Sequence, residues 1–184
     1  MIEETLSGLI GFLGGFATRV FYDKIEQPNL IIDNDNNHLE YVGVPSDQGI
    51  PHVACRIFVY NKKKWFLNSV AKNCIAWVKS ASQETKQQIN WVGEHDSINI
   101  NIDDYQKVNL FAILSGSDNF SFGTENNLFP LRPPYRHPPF EFLLKITSSN
   151  GVGDTVRVNI RSITWSGSGA NATPTIDVRL SNDV

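Results

Sequence analysis

The chain is short of cysteine, of net charge and of long apolar runs, and each shortage narrows what it can be. Its 184 residues hold two cysteines, Cys55 and Cys74. Both fall at positions expected on inward strand faces, where a small thiol behaves as a hydrophobe. Two buried free thiols are the first reading; an inter-sheet disulfide is the second, and it needs an oxidising compartment. A net charge of −3 supplies no basic field for nucleic acid, and acidic and basic residues are spread evenly over both halves. With 41% hydrophobic and 19% charged residues, the chain is not disordered.

Catalytic signatures are missing as well. Ser166 to Gly169 (SGSG) lacks the frame of a nucleophile elbow. His38, His52, His95 and His137 are scattered without metal-ligand spacing. Glu94-His95-Asp96, the densest titratable cluster, reads as a solvated turn. No glycine-rich phosphate loop with a lysine and no dinucleotide fingerprint occurs. We therefore assign no catalytic, cofactor-binding or metal-ligating residue, and expect no small-molecule substrate and no enzyme. Sequons at Asn119 and Asn171 match the number that chance supplies in a chain this rich in Asn, Ser and Thr.

One long apolar segment is present, Leu6 to Tyr22 (LSGLIGFLGGFATRVFY). Acidic Glu3 and Glu4 precede it and no small-residue cleavage site follows, so it is not a secretory signal. At helical rise it spans about 25 Å, a short transmembrane helix that Arg19 and Lys24 can help by snorkelling. Ser7, Gly11 and Gly15 form a small-residue stripe of the kind that lets helices approach closely. Residues 1–27 are thus expected to form a helix acting as membrane anchor or oligomerisation element. An oligomerising helix buried in protein and a core helix of the domain are the alternatives. The cations after the helix favour the cytoplasmic side for the remainder.

From Pro28 onward the pattern is that of strands. Val53, Cys55, Ile57 and Val59 alternate with polar residues, as do Cys74, Ala76 and Val78, giving two central strands of a sandwich. Further strands are expected at Asn29–Asp33, His38–Val44, Ile89–Val92, Ile98–Ile102, Val108–Leu114, Glu141–Thr147, Val156–Thr164 and Thr175–Leu180. Asp33 to Asn37 (DNDNN) resembles the start of a calcium loop, but His38 stands where glycine is required and Val44 where glutamate is. An Asx-rich turn fits better. Gly116 to Asn127 reads as a polar loop.

The string FVYNKKK…SVAKNCIAWV, then Trp91, SININIDD and PPFEFLLKITSSN resembles small uncharacterised archaeal and bacterial proteins with an N-terminal hydrophobic helix and an immunoglobulin-like sandwich. More distantly it is similar to immunoglobulin-like domains of bacterial adhesion proteins. The resemblance spans roughly residues 5 to 165. It implies an all-β, immunoglobulin-like antiparallel β-sandwich over 28–184 preceded by one α-helix, and it carries no catalytic or ligand-binding residue. One departure is local: the glycine usual after Asn61 is absent, and KKKWFLN lengthens the connection.

That connection is the main candidate for contact. Lys62, Lys63 and Lys64 stand beside Trp65, Phe66 and Leu67, a combination suited to a membrane interface or a partner protein; folding back over the sandwich end is the alternative. Pro130 to Pro139 has polyproline II composition and is either a docking segment or a rigid loop. The expected function is a membrane-anchored, non-enzymatic interaction module that oligomerises through its helix. A self-assembling subunit of a fibre or shell is the alternative.

Overall fold

The computed structural model describes residues 15, 27–44, 52–63, 69–80, 86–93, 95–122, 136–167 and 172–182. Of the expected N-terminal helix over 1–27, Gly15, which is helical, and Gln27, which lies in a bend, fall within this range. Among the described residues no helix is long and apolar enough to cross a membrane.

Period-two alternation, interrupted by turns, produces strands in two antiparallel sheets, and the chain forms a β-sandwich. In order these are β1 (Leu30–Ile32), β2 (Glu40–Val44), β3 (His52–Asn61), β4 (Ala71–Ser80), β5 (Lys86–Ile89), β6 (Ile98–Ile100), β7 (Asp104–Leu114), β8 (Phe120–Phe122), β9 (Phe140–Ser148), β10 (Gly151–Ser166) and β11 (Thr173–Ser181). The first sheet runs β1-β3-β7-β8, with β2 beside β1 on the same edge of β3. The second runs β11-β10-β9-β4-β5, with β6 sharing the edge of β4.

The expected central pair is central, and its members lie in opposite sheets. Cys55, Ile57 and Val59 of β3 are buried, as are Cys74, Ala76 and Val78 of β4. Between them pack Val108 and Phe111 of β7, Phe142, Leu144 and Ile146 of β9, and Val156, Val158 and Ile160 of β10. Each large side chain so buried contributes about 1.5–3 kcal/mol. Val53, at the end of the same alternation, is only half-buried.

Three strand expectations need correction. Phe120 and Phe122 do not lie in a polar loop: they form β8 and pack edge-on against Phe140 and Phe142 at 5.6 and 4.8 Å. Ile102 does not continue the buried face of Ile98 and Ile100, because β6 ends at Ile100 and the chain turns through Asp103 at φ 56; Ile102 is 38% exposed. The strand near Trp91 lies earlier, at β5, and Trp91 is a buried plug whose Nε1 donates to Cys74 O at 2.9 Å.

The Asx-rich turn is present. Asp33 Oδ1 accepts from Asp35 N–H and Asp35 Oδ1 from Asn37 N–H, winding Asn36–His38 into one 3₁₀ turn. This turn stitches the side of the sandwich. Asn36 Oδ1 accepts the N–H of Leu180 in β11 at 2.9 Å, and nearby Asp154 of β10 accepts the N–H of Ile32 in β1 at 2.7 Å.

Candidate functional site

Strand alternation that turns Ile57 and Val59 inward must turn Phe58 and Tyr60 outward. Register sets Tyr105 of β7 opposite Tyr60, and Lys107 opposite Phe58. The three rings meet on the solvent side of the five-stranded sheet, with centroids 5.3 Å apart for Phe58–Tyr105, 5.8 Å for Tyr60–Tyr105 and 6.4 Å for Phe58–Tyr60. Two lysines lie over them, Lys107 Nζ 5.0 Å from the Phe58 centroid and Lys62 Nζ 5.3 Å from that of Tyr60. Tyr105 is 46% exposed.

Polar groups rim the trio. Lys107 Nζ donates to Glu40 Oε1 at 3.0 Å, and Arg56 approaches the other oxygen of Glu40 at 3.8 Å. The Tyr60 hydroxyl donates to the Asp33 carboxylate; partial burial, and then that carboxylate, hold its pKa above the usual tyrosine value. Lys62, Lys107 and Arg56 therefore face Glu40 and Asp33, a mixed field that favours neither polyanion nor polycation. What the face offers is aromatic area with a charged border, the composition of protein-contact hot spots.

One end of this face leads straight into the 62–68 connection, whose base is held by two side-chain amides, one buried and one half-buried. Asn61 is fully buried; its Oδ1 accepts from Asn29 N–H at 3.1 Å, and its Nδ2 donates to Ser69 O and Ile100 O, both at 3.0 Å. Where the chain returns, Asn150 does the same work. Its Oδ1 accepts Lys72 N–H at 2.9 Å and its Nδ2 donates to Val70 O at 2.9 Å. Both ends of the connection are thus fixed to the sandwich by saturated hydrogen-bonding side chains.

The anticipated contact residues fall unevenly. Lys62 is exposed and lies over Tyr60, and Lys63 is exposed with its main-chain N–H donating to Asp103 Oδ1 at 2.9 Å. Lys64, Trp65, Phe66 and Leu67 lie outside the described residues, as do Ser7 and Gly11. Gly15 is exposed, and among the described residues nothing stands within 4 Å of where its Cβ would be.

Phe58, Tyr60, Tyr105 and Lys107 were missed as a group, although a signal existed: aromatic residues occupy the outward positions of an otherwise regular alternation.

Neither cysteine is activated as a nucleophile. Burial raises the Cys55 pKa, opposed by a hydrogen bond from the Tyr41 hydroxyl, and pushes Cys74 up to about 11 against a main-chain hydrogen bond from Ile100. Both thiols are free and protonated at neutral pH. Glu94 lies outside the described residues, while His95 and Asp96 are exposed. Among the described residues no cluster of His, Cys, Asp or Glu could hold a metal ion. No protein-family model, curated protein or solved structure matches the chain.

Proposed function

We propose that this protein is a non-enzymatic interaction module on an immunoglobulin-like sandwich, held at a membrane by its N-terminal apolar helix, with the outer Phe58–Tyr60–Tyr105 face as its contact surface. The carrying observation is the trio itself, three rings in mutual contact on the solvent side of a sheet and continuous with Lys62. Large aromatics held outward at the loss of burial energy are what an interface uses and a core does not.

Strand order supports the immunoglobulin-like reading. In those sandwiches strand B neighbours E in one sheet, C-F-G run together in the other, and the chain crosses between sheets from B to C. Here β3 neighbours β7, β4-β9-β10 are consecutive, and the crossing falls between β3 and β4. β11 is added beyond the G position, and β8 replaces strand D as a hairpin after E.

Two measurements test the proposal. In fractionated cells an anchored module stays with lipid until detergent is added, whereas a lipid-free fibre or shell subunit pellets without lipid. A photo-crosslinker at Tyr105 should capture a neighbour that one at Arg161, exposed on the other sheet, does not. Release without detergent refutes the anchor, and equal capture at both positions refutes the contact face.

A further inference from the structure

β11 is an edge strand, and among the described residues it pairs only with β10. The direction of its free main-chain groups is fixed by one bond. Leu180 N–H is taken by Asn36 Oδ1 and so points away from β10. In an extended strand N–H and C=O of alternate residues point the same way; Pro174, Ile176 and Val178 therefore share that outward direction. Proline, which has no N–H to offer, is tolerated on such a side. The β-bulge at this place sits on β10, between Ile160 and Ser162, and leaves β11 regular.

Side chains alternate with equal regularity. Ile176, Val178 and Leu180 face the core, whereas Thr173, Thr175, Asp177 and Arg179 are exposed. Among the described residues neither Asp177 nor Arg179 has an ion-pair partner in its own chain.

Among the antiparallel registers open to two copies of this edge, those centred on Asp177 and on Val178 decide where its charges fall. Centred on Asp177, the pairing sets two aspartates directly opposite each other, which is destabilising. Centred on Val178, it sets each Asp177 opposite Arg179 of the second copy and each Ile176 opposite Leu180. Charge, apolar face and main-chain groups then all match about one two-fold axis. The ladder in that register needs the Leu180 N–H, the group that Asn36 occupies.

We propose that β11 is a pairing strand for a second copy of this chain, antiparallel about Val178, and that Asn36 is the latch that holds the edge closed. Edge strands are commonly blocked against such pairing; here the Asn36–His38 turn lies against β11, and the Asn36 side chain takes the group the matched register requires. This pairing does not depend on the outer aromatic face or on the N-terminal helix.

The test uses the full chain with Thr175→Cys and Ser181→Cys. In the proposed register position 175 of one copy faces 181 of the other in a non-hydrogen-bonded pair, with Cα atoms about 4.5 Å apart and within disulfide reach. Within one chain the two positions are about 20 Å apart along the strand and cannot bridge. Freeing the edge with Asn36→Ala should tighten association roughly ten- to a hundredfold, since Leu180 N–H is released on both copies. A disulfide-linked dimer should form, be lost with Asp177→Arg, and return when Arg179→Asp is added. Asn36→Asp keeps an acceptor and should stay latched. If Asn36→Ala does not fold, the same charge-swap series is read at high concentration with Asn36 intact. Absence of crosslinking, or crosslinking indifferent to Asp177→Arg, overturns the proposal.

Discussion

Asp154 of one sheet accepts the main-chain N–H of Ile32 in the other at 2.7 Å, so a single carboxylate closes the gap between facing sheets. Ile32 pairs with Val59 on its other side; without Asp154 its N–H would be an unpaired donor at the rim of the core. A charged acceptor makes this bond stronger than a neutral one.

Asp154→Ala should therefore destabilise the fold by about 1–3 kcal/mol, with Asp154→Asn losing less because an amide oxygen can still accept. Urea unfolding of both variants measures the difference. Equal stability of all three proteins would mean that water replaces the carboxylate without cost.

Asn61 is the second point where one side chain holds several segments. Asn61→Ala leaves Asn29 N–H, Ser69 O and Ile100 O without their partner. The expected loss is roughly 2–4 kcal/mol, from more than one buried polar group left unpaired. Hydrogen exchange should show the amides of Asn29, Lys62 and Ala71 losing protection first.

Gly153 tests the geometry of the β9–β10 hairpin. A Cβ there would lie 1.6 Å from Ile146 O, which is main chain and has no room to yield. Gly153→Ala should cost at least about 3 kcal/mol through the forced backbone shift, seen as a large drop in melting temperature. Gly43→Ala, with nothing within 4 Å of the added atom, is the control and should melt close to the wild type.

His52 is 2% exposed, and burial lowers its pKa below the ordinary value. The unfolded chain then binds the extra proton first, so stability rises with pH across the interval between the two pKa values. The contribution is full above about pH 6.5 and is lost as pH falls toward the lowered folded value, at about 1.4 kcal/mol per unit of difference. Comparing urea midpoints near neutrality and about two units below, the wild type should lose more stability than His52→Asn.

The core was readable because it obeys a period. Cys55, Ile57, Val59, Cys74, Ala76 and Val78 are inward as alternation requires. Phe120 and Phe122 were hidden because three residues between polar neighbours are too few to display a period. Ile102 was misread because alternation ran on into a turn, which only the positive φ of Asp103 reveals. The outer trio was obscured for a different reason. Tyr105 comes from another strand, and it is register, not spacing in sequence, that sets it beside Tyr60.

The contact face yields the last prediction, which separates binding from folding. Tyr105 is 46% exposed and Tyr60 half-buried, so both surrender little core area when shortened. Their mutual ring contacts at an exposed site are worth about 0.5–1.5 kcal/mol. Tyr60→Ser with Tyr105→Ser should then shift the melting temperature only modestly. If the trio is the contact surface, the same pair should abolish the crosslinks formed from position 107, which lies within the face but replaces neither ring. Asn61→Ala should behave in the opposite way, lowering stability while the surviving folded protein still crosslinks. Should the tyrosine pair instead lower stability as much as Asn61→Ala and leave crosslinking intact, the rings serve to brace β3 against β7, and the face is packing that happens to look outward.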